Sequence, residues 1–163
     1  MVLLFPVSTA TAANAIVNGR DAVKPHNVIQ LWLNVPGANP PNYLVCGGWL
    51  YSAQHVVTSR HCFTKYSMDP KRYWIRAGST RRGEGDLRQG FSIMAAEKTD
   101  IAVLRLVSPV TTPIEPLPRI PRGSFPMTNK VLTLLGWGGP VQRLQAGDRA
   151  TRASSSTWAR SPG

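Results

Sequence analysis

Glycine and proline, 14 of each among 163 residues, are spread along the chain and set the first constraint on its fold. Glycine is entropically costly in a helix and proline removes a backbone donor, so together they cut the sequence into pieces too short for long helices. The pieces between the breaks are rich in β-branched and aromatic residues. Residues 27–34, NVIQLWLN, partly alternate and run into the loop PGANPPN. Tyr43-Leu44-Val45-Cys46 leads through Gly47-Gly48 into Trp49-Leu50-Tyr51, and His55-Val56-Val57-Thr58 supplies a hairpin partner. Residues 72–77 (RYWIRA), 101–107 (IAVLRLV) and 130–135 add further strands. With 42% hydrophobic residues the chain can build a core, which excludes wholesale disorder. Short strands at short intervals predict an all-β sandwich or barrel.

The ends differ from the middle. Residues 1–15, MVLLFPVSTATAANA, place a short apolar patch before Ala13-Asn14-Ala15, the small-x-small form of a signal-peptidase site. We read them as the remnant of a signal peptide, which implies export to a secreted or extracellular location. Cleavage there leaves Ile16-Val17-Asn18-Gly19 as the new start. Residues 108–124, SPVTTPIEPLPRIPRGS, carry too many prolines for a central strand and read as a linker. Beyond about residue 143 the composition turns to Arg, Ser, Ala, Thr and Gly, which predicts a disordered tail over 144–163. No run of 18 or more apolar residues occurs, so no transmembrane segment is expected.

Lys and Arg number 19 against 8 Asp and Glu, a formal charge of +11. Such a balance favours anionic partners. The charge is dispersed in small groups, at Lys71-Arg72, Arg81-Arg82 and 119–122, with no dense basic run interleaved with aromatics. A solvated basic surface is the first reading. Weak binding of polyanions or acidic surfaces by a non-enzymatic protein is the second, and no specific nucleic-acid partner is expected.

Chemistry concentrates in five segments. Ile16-Val17-Asn18-Gly19 comes first, followed by Cys46-Gly47-Gly48-Trp49-Leu50 and then Val56-Val57-Thr58-Ser59-Arg60-His61-Cys62. Thr99-Asp100-Ile101-Ala102-Val103-Leu104-Arg105-Leu106 and Leu134-Leu135-Gly136-Trp137-Gly138 complete the series. In this order and at these intervals they resemble the trypsin/chymotrypsin serine proteases, peptidase family S1. That family's patterns are I-V-G-G, C-G-G-S-L, V-L-T-A-A-H-C, D-I-A-L-L-x-L and V-T-G-W-G. Taken singly, His61 reads as a core histidine, Asp100 as a solvated carboxylate and the cysteines as free thiols. The ordered set favours the family.

The resemblance implies a chymotrypsin-like Greek-key β-barrel fold and hydrolysis of peptide bonds in protein or peptide substrates, with no cofactor and no metal. His61 takes the part of general base, since a neutral imidazole can accept a hydroxyl proton and return it to the leaving amine. Asp100 holds and orients the imidazole. Cys46 and Cys62 form a disulfide beside it. The domains expected on this basis are the leader at 1–15, the first barrel at 16–107 and the linker at 108–124. A fragment of a second barrel at 125–143 and the tail at 144–163 follow.

The same resemblance exposes departures. The family's nucleophilic serine lies in G-D-S-G-G, whose backbone N–H groups also form the oxyanion hole. Here Gly147-Asp148 is followed by Arg149, and Ser154 to Ser156 have no flanking glycines. The chain is also short of the 200–250 residues, roughly, that a two-barrel fold takes up. We therefore read it as truncated before the nucleophile, its first barrel near complete, and inactive as it stands. Ser59-Arg60 replaces the small alanines before the histidine, and FSIMAAEKT is a short approach to Asp100 that leaves room for one strand fewer. Both departures work against a His61–Asp100 pairing. His26 and His55 read as structural, and a zinc site from His55, His61 and the cysteines lacks the usual ligand spacing. An unpartnered half of a two-barrel fold exposes an apolar face and is expected to associate.

Overall fold

The computed structural model describes residues 20–36, 41–116, 132–137 and 154–158. The leader at 1–15, the start at Ile16, the later part of the Pro-rich segment and most of the 125–143 and 144–163 segments lie outside these residues.

Six strands close a barrel in the order β2-β3-β4-β7-β6-β5: β2 Val28–Leu33, β3 Tyr43–Ser52, β4 His55–Thr58, β5 Tyr73–Ala77, β6 Asp86–Ala95 and β7 Ala102–Leu106. All neighbours are antiparallel. The expected all-β, chymotrypsin-like fold is the observed one. Alternation explains the core. Tyr73, Ile75 and Ala77 of β5 and Ala102, Leu104 and Leu106 of β7 point inward, and meet Ile29, Leu31 and Leu33 of β2 with Val56 of β4. β2 is buried along its whole length because it has two covered faces. Its other face, Val28 and Trp32, packs with Leu44 and Trp137.

The structure extends the sequence reading at three points. Tyr43–Ser52 is one continuous strand through Gly47-Gly48, one residue longer than the stretch expected to end at Tyr51. β6, ten residues long, was not expected at all; the short approach to Asp100 contains a strand. Its sequence DLRQGFSIMA hides the alternation behind a register shift between Gly90 and Ser92. Gly90 is required there because a Cβ would lie 2.5 Å from the Pro70 carbonyl oxygen. The third point is the segment read as a linker, whose first part straps back onto the barrel. Val110 is buried, its N–H donating to the Ala53 carbonyl at 2.8 Å, and Ile114 packs on the core. Buried Asn27 exchanges two hydrogen bonds of 2.8 Å with the Glu115 backbone. Prolines bar this segment from the ladder but not from packing its apolar residues.

A second sheet has the order β1-β9-β8, with β1 Arg20–Asp21, β8 Leu132–Gly136 and β9 Ser154–Trp158. The disordered-tail reading is corrected at β9, whose Ser-rich sequence has little to bury yet pairs antiparallel with both β8 and β1. Ladder formation needs only backbone donors and acceptors, so composition alone did not reveal it. Trp137, next to β8, joins this sheet to the barrel: it is 6% exposed and its Nε1–H donates to the Thr80 carbonyl at 2.9 Å.

Candidate active site

The register of β4 and β7 brings the candidate residues together. Thr58, the last residue of β4, is paired with Ala102, the first of β7. His61 lies three residues after the one and Asp100 two before the other, so both emerge at the same end of the barrel. His61 opens a four-residue helix, α1 His61–Thr64, whose next two residues, Cys62 and Phe63, are buried. Phe63 meets Tyr73 edge to face at 4.8 Å between ring centres, and the Tyr73 hydroxyl donates to the Ser67 carbonyl at 2.7 Å. Anchoring the following residues in the core leaves the imidazole outside, with a side chain 63% exposed.

Two hydrogen bonds lock the pair. The His61 backbone N–H donates to Asp100 Oδ1 at 2.9 Å, and His61 Nδ1 lies 2.6 Å from Asp100 Oδ2. A carboxylate accepts only, so Nδ1 carries a proton, and in the neutral imidazole the basic lone pair is then the one on Nε2. These bonds hold the Asp100 carboxyl below its ordinary pKa, the His61 backbone N–H foremost and the imidazole next. Both departures expected to spoil this geometry fail to do so. The short approach suffices because β6 runs up to Ala95 and only a tight loop is needed before β7. Arg60 turns outward and donates from Nη1 to the Glu97 carbonyl at 3.0 Å, leaving the imidazole in place.

Cys46 and Cys62 form the expected disulfide, with Cα atoms 6.2 Å apart. It ties β3 to the helix that begins with His61. Cys46, His61 and Cys62 bring ligating atoms within 4.8 Å of one another, but the two sulfurs are bonded together and offer no thiolate to a metal. Thr58 reinforces the same corner by donating from Oγ1 to the Gly47 carbonyl at 2.7 Å. Sequence reasoning gave no role to the Thr58 hydroxyl or the Arg60 contact; neither has a local signal, because the acceptors are backbone carbonyls, one on the neighbouring strand β3 and one in the loop before Asp100. His55 Nδ1 pairs with Ser52 Oγ at 2.9 Å, and His26 Nδ1 with Glu115 Oε2 at 3.1 Å, so each is engaged away from His61.

A groove of about 600 Å³ opens beside the imidazole. Leu44, Gly47, Trp49 and Val57 form its barrel wall, and Leu134 to Trp137 form the opposite one. Its lining is mainly apolar.

Barrel, disulfide corner and histidine–aspartate pair together define a protein of the chymotrypsin-like all-β class. Comparison with known proteins narrows this. The family model for trypsin matches residues 16–160, and the chain belongs to the trypsin family. It is 33% identical over 133 residues to transmembrane protease serine 11G of Mus musculus, an alignment covering 76% of this chain. The chain spans 30% of the length of that relative. Among the described residues no helix is long and apolar enough to cross a membrane.

Proposed function

We propose that this chain carries the general-base half of a serine endopeptidase site, with His61 as base and Asp100 as its orienter. The short Nδ1–Oδ2 contact of 2.6 Å carries this reading, because it fixes both the tautomer and the direction in which Nε2 points. In peptide-bond hydrolysis Nε2 takes the proton of the attacking hydroxyl as the new C–O bond forms. Asp100 stabilises the resulting imidazolium, which then returns the proton to the leaving amine. A protein or peptide chain lying in the groove lined by Trp49 and Trp137 is the substrate class that the site suits. The Cys46–Cys62 disulfide and the Ala13-Asn14-Ala15 cleavage signal support folding in an oxidising, extracellular setting.

The 163-residue sequence contains no Gly-Asp-Ser-Gly-Gly segment, and on this reading the chain alone does not turn over. The nucleophile and its oxyanion donors act together with the base, so the base without them gives little. A fluorophosphonate probe on the purified full chain tests this. No labelling above that of a His61→Ala control is expected; labelling that vanishes with His61→Ala would reveal a working nucleophile and overturn the inactive reading.

A further inference from the structure

The loop that carries Asp100 is held by very little. β6 ends at Ala95 and β7 begins at Ala102, and one backbone hydrogen bond, from the Ala96 N–H to the Ile101 carbonyl at 2.9 Å, closes the base of the loop. Glu97, Lys98, Thr99 and Asp100 are all exposed, so no buried side chain fixes the tip. Segments with few buried contacts open at low cost. The pairing with His61 thus depends on polar ties. Asp100 accepts from the His61 backbone N–H and imidazole, with a smaller contribution from the Arg60 backbone N–H. A further tie comes from the side chain of Arg60. Its backbone is helical and its side chain makes no cap to α1; instead the guanidinium reaches across to the Glu97 carbonyl at 3.0 Å.

We infer that Arg60 is a positioning residue, which ties the Asp100 loop to the start of the His61 helix and so sets the geometry of the His61–Asp100 pair. This rests on the reading of that pair as base and orienter. The physical case is one of leverage. Arg60 adjoins His61 in the chain and Glu97 is three residues from Asp100, so the tether joins the two backbones that must stay in register. A guanidinium suits the task because its donors are fixed in one plane and stay charged at all working pH values. The same cation is also a nearby positive charge, and this is the rival explanation for any effect of removing it. Charge effects between exposed groups are screened by salt; a tether is not.

The test uses the full chain with labelled histidine. The His61 Nδ1 proton held by Asp100 gives a low-field NMR resonance, assigned by its loss in Asp100→Asn, and its exchange with water is measured alongside the Asp100 carboxyl titration. Arg60→Met is expected to speed that exchange about tenfold or erase the resonance, at low salt and at 1 M salt alike, with a cooperative melt retained. Arg60→Lys, which keeps a long donor, is expected to restore most of it. An unchanged resonance in Arg60→Met overturns the inference, even if the Asp100 titration rises, because charge alone explains that rise. An Arg60→Met effect that disappears in 1 M salt overturns it too. A wild-type chain without the resonance removes the pairing itself, and with it both the tether and the base-and-orienter reading; the Arg60→Met outcomes remove only the tether.

Discussion

The barrel and the β1-β9-β8 sheet are both antiparallel, yet they are stabilised differently. The barrel closes on itself, so every strand has two neighbours and the interior holds an uninterrupted apolar cluster from Ile29 to Leu106. Among the described residues the three-stranded sheet is open, its first strand has two residues, and it meets the barrel at Trp137 and the small cluster around it. Closure removes edges and puts core packing behind each ladder bond; an open sheet relies on whatever covers it. The His61–Asp100 pair stands on the closed unit, while the groove beside it is completed by the open one.

The comparison can be broken most readily at the barrel core. Leu104→Ala removes a fully buried side chain and is expected to cost about 2–5 kcal/mol, read from urea or thermal unfolding. A loss below about 1 kcal/mol would mean that the barrel is not the stable unit. Next in size is the disulfide. Replacing Cys46 and Cys62 together with Ser is expected to cost about 2–4 kcal/mol, since the bridge closes a loop with a sequence separation of 16. If histidine NMR then shows the His61–Asp100 proton unchanged, the bridge stabilises the barrel without positioning the imidazole.

Trp137→Ala sharpens the contrast between the two sheets. Amide exchange in β8 is expected to accelerate by about tenfold or more while the amides of Ile75 and Leu104 stay protected. Equal acceleration in both places would show that the sheets unfold as one. The smallest effect is expected at the strap. Glu115 is bonded by Lys24 first and His26 next, which together hold its carboxyl below the ordinary range. A carboxyl depressed in the folded state adds stability that is fully present above its unfolded value, about 4.3, and is lost as pH falls through the folded value. Glu115→Gln is therefore expected to melt slightly earlier than the wild type at neutral pH and at the same temperature in acid. A gap that persists in acid would assign the effect to shape rather than charge.

Much of the barrel was legible because its strands bury one face and expose the other. Residues 72–77 alternate in the sequence and 101–107 are apolar apart from one Arg; their structured counterparts Tyr73–Ala77 and Ala102–Leu106 alternate in space. β6 was not legible, since the shift at Gly90 interrupts the period that would have announced it. β9 was not legible either, because its pairing uses backbone groups that Ser154 and its neighbours share with every residue. The Pro-rich strap was half read: prolines do exclude a central strand, but they do not say that Val110 and Ile114 find the core. At the site, the residue types and their order pointed to His61, Asp100, Cys46 and Cys62. Arg60 was misjudged as an obstacle because sequence gives its bulk and not its direction.

The sequence by itself determined an all-β chain with a trypsin-like order of motifs, because burial and hydrogen-bonding preferences act residue by residue along the strand. It also supplied the chemical groups of the site, whose reactivity is a property of the side chains. Only the tertiary structure decided whether those groups meet. The Thr58–Ala102 register carries His61 and Asp100 to one barrel end, and a carboxylate oxygen then lies 2.6 Å from an imidazole nitrogen 39 positions away. Distances of that kind follow from long-range strand pairing, which is settled when the barrel closes and not by any local stretch of the chain.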